Sequence, residues 1–115
     1  MSTNQSPVTF EAYDRSLQLL SCLVPVIAKL RTQDPDLVKQ LRRAAMSVQL
    51  NIAEANGRAG KDRSYLFRVA YASAGEVAAA LEGAVAFEAL PAALAAQPLE
   101  LVDRIRAMTY RLAAK

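Results

Sequence analysis

Apolar residues in this chain recur at spacings of three and four through four long segments, and nowhere do they alternate with polar residues. The first spacing lets a helix bury one face, whereas a half-buried strand needs a period of two. β-branched residues are few, so strand signals are absent and an all-α fold is expected. The predicted helices cover residues 9–30, 35–56, 63–90 and 99–113.

Proline and glycine set the boundaries. In the first helix Phe10, Tyr13, Leu17, Leu20, Val24 and Ile27 form the expected inner face. Thr9 is placed to cap it and Val8 to make a staple contact. Pro25 lies inside this run, removes a backbone donor, and should kink or divide the helix. Asp34-Pro35 starts the second helix with a capping carboxylate followed by proline at the first helical position. Its inner face reads Leu37, Leu41, Ala44, Val48, Ile52 and Ala55, and Gly57 is a natural stop. Asp62 can open the third helix, an alanine-rich rod in which Gly75 and Gly83 either weaken the helix or admit a close neighbour. Pro91 ends it, residues 91–97 form a connector, and the fourth helix follows Pro98 with Leu101 or Val102, Ile105, Met108 and Leu112 on one side. Short links between four such helices favour an antiparallel up-down four-helix bundle, one domain over residues 1–115. A three-helix bundle with an extra arm is the structural alternative.

Composition removes several classes of chemistry. There is no histidine, so the commonest metal ligand and general base are missing. Cys22 is the only cysteine and cannot form a disulfide within the chain; with no positive group or base beside it in sequence, it reads as a small packed hydrophobe. Gly57-Arg58-Ala59-Gly60-Lys61 lacks the spacing of a phosphate-binding loop. Asn51 and Glu54 lie beside the core face, where a boundary hydrogen-bond network that fixes helix register or subunit docking is the expected role. No catalytic residue, metal site or cofactor is therefore expected. The richest apolar stretch, residues 69–90, contains Glu76, Glu82 and Glu88, so no membrane span is expected. Residues 1–7 are polar and uncharged, unlike a secretory signal, which makes the cytoplasm the default location.

The backs of these helices are also apolar. On a wheel at ~100° per residue, the third helix shows one stripe of Leu66, Val69, Ser73, Val77, Ala80, Ala84 and Phe87. A second contains Phe67, Ala74, Ala78, Leu81 and Val85, with Tyr71 beside it. The first helix carries Leu19, Cys22 and Val26 behind its core face, and the second carries Met46, Leu50 and Ala53. A bundle of this length cannot bury both sides of three helices, so these second stripes are expected to be covered by other copies of the chain.

Positive charge concentrates between residues 39 and 68, in Lys39, Arg42, Arg43, Arg58, Lys61, Arg63 and Arg68, against Glu54 and Asp62. Such a cluster is what phosphate contacts need. Local pairing competes with it: Arg58 lies four residues after Glu54, and Arg42 or Arg43 can pair with Glu76 across the helix pair. Only Tyr65 and Phe67 interleave with the basic residues, so stacking of single-stranded bases has little support here.

The run Leu41-Arg42-Arg43-Ala44-Ala45-Met46-Ser47-Val48-Gln49-Leu50-Asn51-Ile52-Ala53-Glu54-Ala55-Asn56-Gly57-Arg58 resembles the signature of a bacterial four-helix bundle family. That family includes proteins encoded in intervening sequences of large-subunit ribosomal RNA genes and the accessory protein of diversity-generating retroelements. Tyr65-Leu66-Phe67-Arg68-Val69-Ala70-Tyr71-Ala72-Ser73-Ala74-Gly75-Glu76 is similar too, and the likeness spans residues 37–87. Gln49 stands where the family usually has proline and Ala55 where it has glycine, which implies a straighter second helix that runs closer to Gly57. The resemblance implies a bundle that assembles into a ring, commonly of five subunits, with nucleic-acid binding in some members. The expected function is that of a non-catalytic homo-oligomeric scaffold with RNA or DNA at a basic rim. The alternative is an adaptor for a different protein.

Overall fold

The computed structural model describes residues 7–115, with side chains from Thr9 onward. Helices α1 (Pro7–Cys22), α2 (Val24–Leu30), α3 (Pro35–Asn56), α4 (Gly60–Ala86) and α5 (Ala92–Ala114) account for nearly all of it. No strand occurs among the described residues. α1 and α2 are two halves of one rod. The backbone ladder passes through the break, Leu23 N donating to Leu19 O at 3.1 Å and Ile27 N to Leu23 O at 2.8 Å. Pro25 has no N–H to offer the carbonyl four residues back, and the chain leaves regular helix at Leu23. The helix is divided without changing direction enough to end.

Counted as rods, four helices form an antiparallel bundle of 44 × 20 × 20 Å. The links at residues 31–34, 57–59 and 87–91 are too short to do anything but reverse the chain. α3 packs on α4, α4 on α5, and α1 closes the square by packing on both α5 and α3.

The starts and stops follow capping chemistry. Asp34 accepts from Leu37 N at 3.0 Å with Pro35 directly behind it. Asp34→Ala should cost about 1 kcal/mol, read as a lower urea midpoint with an unchanged slope. α1 begins at Pro7, so Thr9 is not its cap. Thr9 lies buried in the first turn and accepts from Arg63 Nη2 at 3.4 Å; the Val8 staple lies outside the described side chains. α4 begins at Gly60, with Asp62 in its first turn instead of at the cap, where a carboxylate favours the positive end of the helix dipole. It stops at Ala86, before the expected end at residue 90. Glu88 N donates to Val85 O and Ala89 N to Ala84 O, both at 2.9 Å. Those two bonds close a Schellman turn around Glu88 at φ 61°. Sequence offered no glycine there to announce it. α5 begins directly after Pro91 and absorbs the expected connector, with Pro98 inside the helix. Alanine-rich residues 92–97 are good helix formers, and burial of Ala95 and Pro98 against the core offsets the missing backbone bond.

The core corrects the expected faces of two helices. On α1 and α2 the buried side is Thr9, Ala12, Ser16, Leu19, Leu23, Val26 and Leu30. Phe10, Leu17 and Val24 are exposed, while Tyr13, Leu20 and Ile27 are half-buried at the border. The helix is turned by about one residue, ~100°, from its most apolar stripe. This rod sits in the groove between α3 and α5, and small Ala12 and Ser16 allow the close approach that Phe10 or Leu17 would block. On α4 the buried arc is Phe67, Ala70, Ser73, Ala74, Val77, Leu81 and Ala84. It lies between the two stripes seen on the wheel, because α4 serves two neighbours at once. α3 and α5 bury the faces expected of them, with Leu37 half-buried and both Leu101 and Val102 inside.

Candidate functional site

The corrected faces decide which side chains are available to a partner. Leu19, Val26, Phe67, Ala74 and Leu81 are fully buried within one copy of the chain, and Cys22, Ala78 and Val85 are half-buried against the same core. The five buried side chains cannot form a face reserved for a second copy. Of the expected interface set, Met46 and Leu50 stay exposed, and they are joined by side chains first assigned to the core. Phe10, Leu17 and Val24 run along the outside of the α1–α2 rod at intervals of seven, 51%, 41% and 64% exposed, beside Leu50 at 54%. Gln49 Nε2 donates to Tyr13 Oη at 3.1 Å across the antiparallel pair. That register brings Phe10 level with the Ala53 turn and Leu17 level with Met46 along two neighbouring rods, so the five large side chains are exposed on the outer sides of α1, α2 and α3. Lys39, Arg42 and Arg43 are exposed on α3 beyond Met46, Arg43 on the side that faces the α3–α4 groove.

The expected basic cluster is divided. Lys39 and Arg58 are separated by about 28 Å at 1.5 Å per residue, so Lys39, Arg42 and Arg43 do not join the group at the α3–α4 turn. At that turn Arg58 reaches Glu54 at 3.5 Å and Asp62 at 3.9 Å, exposed pairs that hold it only weakly. Arg63 is taken by the fold: it donates to Ala55 O at 3.2 Å and to Thr9, with its guanidinium 4.9 Å from the Phe67 ring centroid. It ties the end of α3 to the start of α1 and is not free to bind a ligand. Lys61 and Arg68 are exposed and, among the described residues, carry no ion pair. Arg43 and Glu76 line the same α3–α4 groove, about 640 Å³, without pairing.

A further grouping lies on the α4–α5 side. Tyr71 and Tyr110 meet with ring centroids 5.8 Å apart and planes tilted by 50°. The Arg106 guanidinium stacks on Tyr71 at 4.4 Å, and Arg68 lines the cleft beside them. Sequence reasoning passed over this pair because the two tyrosines are far apart in the chain and meet only where α5 folds back along α4.

Asn51 donates to Ser47 O at 2.8 Å and to Ser47 Oγ at 3.1 Å, and Ser47 shares a 2.7 Å bond with Ser73 on α4. With Glu54 turned to Arg58, the Asn51 network fixes the register of α3 against α4. Burial pushes the Cys22 thiol up to about 11, opposed by a weaker pull from a backbone hydrogen bond. It stays protonated near neutral pH and is a poor nucleophile there. Among the described residues no three Asp, Glu or Cys side chains converge as a metal site requires, and no helix is long and apolar enough to cross a membrane.

A family model described as 23S rRNA-intervening sequence protein matches residues 9–111, including the first and last helices where the resemblance in residues is faint. No curated protein and no solved structure matches the chain.

Proposed function

The chain belongs to the 23S rRNA-intervening sequence protein family, and from that footing we propose that it is a non-catalytic helical bundle that assembles with copies of itself and contacts nucleic acid electrostatically. The observation that carries this reading is the apolar face of Phe10, Leu17, Val24, Met46 and Leu50. Single exposed apolar residues are common on monomers, but five large ones on the outer sides of two packed rods mark a surface that water disfavours. Apolar side chains with Lys39, Arg42 and Arg43 exposed beyond Met46 fit the plan of a subunit contact with a polar rim. A closed ring requires this face to meet a different face of the next copy, whereas a dimer would pair it with itself. The resemblance favours the ring, with five subunits.

Nucleic acid enters through charge. Lys39, Arg42, Arg43 and Lys61 are exposed cations without ion pairs among the described residues, and assembly would repeat them around the particle. Such side chains release counterions from a phosphate backbone whatever the base sequence. The cytoplasm, where a lone thiol stays reduced, is part of the same reading.

Light scattering at several micromolar concentrations tests the assembly: the expected particle is a fixed multiple of 12.4 kDa, and a strict monomer overturns the proposal. Titration of labelled RNA and duplex DNA at low and moderate salt tests the second half. Binding should fall steeply with salt, and Lys61→Gln should weaken it for every sequence while lowering the log–log salt slope by about one. No binding at low salt removes the nucleic-acid role.

A further inference from the structure

The cleft between the outer sides of α4 and α5 has features that packing within the bundle does not explain. It measures about 420 Å³ and is lined by Arg68, Tyr71, Tyr110, Ala113 and Ala114, with no carboxylate among them. Tyr110 is 65% exposed even though it is one of the chain's largest apolar surfaces. Tyr71 is held from both sides, Arg106 stacked on its face and Tyr110 tilted against it. Arg106 Nε is buried without a hydrogen-bond partner, so the guanidinium keeps its place at a cost and adds positive charge beneath the aromatic pair. Arg68 lines the cleft, exposed and without an ion pair among the described residues.

These parts have complementary chemistry. An exposed tyrosine ring offers a face to any planar base, and stacking of this kind is tolerant of sequence. A guanidinium can stack on the same base or bind the adjoining phosphate in a bidentate way. The small side chains of Ala113 and Ala114 leave room in the cleft for a flat ring. One cation lining the cleft, a second stacked on Tyr71, and no carboxylate among the lining residues favour a polyanion over an apolar protein segment. A base paired within a duplex shows only its edge and cannot enter.

We propose that the Tyr110–Arg68 cleft is a stacking site for an unpaired base of a single-stranded nucleic acid, with Tyr71 and Arg106 as positioning residues. This rests on the nucleic-acid half of the proposed function and adds to it a place and a preference for single strands. A surface that only neutralised phosphates would bind duplex at least as well.

The test uses the full chain, a labelled single-stranded RNA of mixed sequence, and the duplex formed from it, at low salt. Tyr110→Ala should weaken single-strand binding by about tenfold or more and leave duplex binding within about twofold, with an unchanged salt slope. Tyr110→Phe should bind like the original protein, since the ring and not the hydroxyl makes the contact. Arg68→Gln should weaken single-strand binding and lower the salt slope by about one. Tyr110 is exposed, so circular dichroism and thermal melting of each variant should match the parent. If Tyr110→Ala binds single strands like the parent while Lys61→Gln weakens binding, the stacking site is overturned and the electrostatic reading stands. If the parent binds no nucleic acid, both fail. If Tyr110→Ala changes the assembled mass instead of RNA affinity, the cleft is a subunit contact and the proposal is wrong.

Discussion

Phe67→Ala is expected to destabilise the bundle by about 3–5 kcal/mol, a large part of the roughly 5–15 kcal/mol that holds a domain of this kind together. Phe67 is the largest fully buried side chain, on the arc of α4 that faces both α3 and α5. Removing the ring leaves a void that surrounding helices can only partly close. It also strips Arg63 of its stacking partner, and Arg63 ties the α3 end to Thr9. Urea unfolding followed by circular dichroism gives the loss directly. Phe87→Ser is the matched control. That ring is 88% exposed, so the change should stay within about 0.5 kcal/mol. The pair also decides between two places for Phe67. A residue of a subunit interface would, when truncated, lower the assembled mass and leave the unfolding of one copy nearly unchanged. A core residue does the reverse, and an unaffected urea midpoint would contradict the burial described above.

The second large effect concerns assembly. Val24→Glu combined with Leu50→Glu should weaken self-association by a factor of about 100 or more. Each substitution gives up the roughly 1.5–3 kcal/mol that burying such a side chain supplies, and each adds a carboxylate that a closed contact would have to desolvate without a partner. Both positions are exposed in the single copy, so the folded helix content should survive. Sedimentation velocity across a concentration series reads the outcome. Retention of the parent's mass by the double variant would show that α2 and α3 do not meet a neighbour through this face.

Much of the bundle is legible in the chain itself. Asp34-Pro35 announced the start of α3, and Gly57 its end. The inner faces of α3 and α5 followed directly from three- and four-residue spacing, because each presents a single coherent stripe. The first rod misled for a specific reason. Its strongest stripe, Phe10 to Val24, faces outward, and the side that packs includes Thr9, Ala12 and Ser16. Hydropathy ranks bulk and greasiness; close helix approach selects for small side chains, which hydropathy does not reward. α4 misled differently. A helix with two packing neighbours buries a broad arc, and the wheel split that arc's flanks into a core stripe and a supposed interface. Of the second stripes, Met46 and Leu50 on α3 stay exposed, whereas on the α1–α2 rod Leu19 and Val26 are buried and Phe10, Leu17 and Val24 are the exposed side chains.

Charge shows the same division. Composition revealed seven basic residues between residues 39 and 68, but their separation along α3 and the capture of Arg63 by Ala55, Thr9 and Phe67 depend on how the rods stack. The Tyr71–Tyr110 pair is the clearest case. Nothing local relates those residues. They meet because α4 and α5 are antiparallel and in one particular register.

The sequence by itself determined the helical class, the number of rods and about half of their ends, since periodicity, caps and prolines act within a few residues of one another. Only the tertiary structure decided which apolar stripe each rod turns inward and which distant side chains share a surface, since both depend on the rotation and register of rods packed against more than one neighbour.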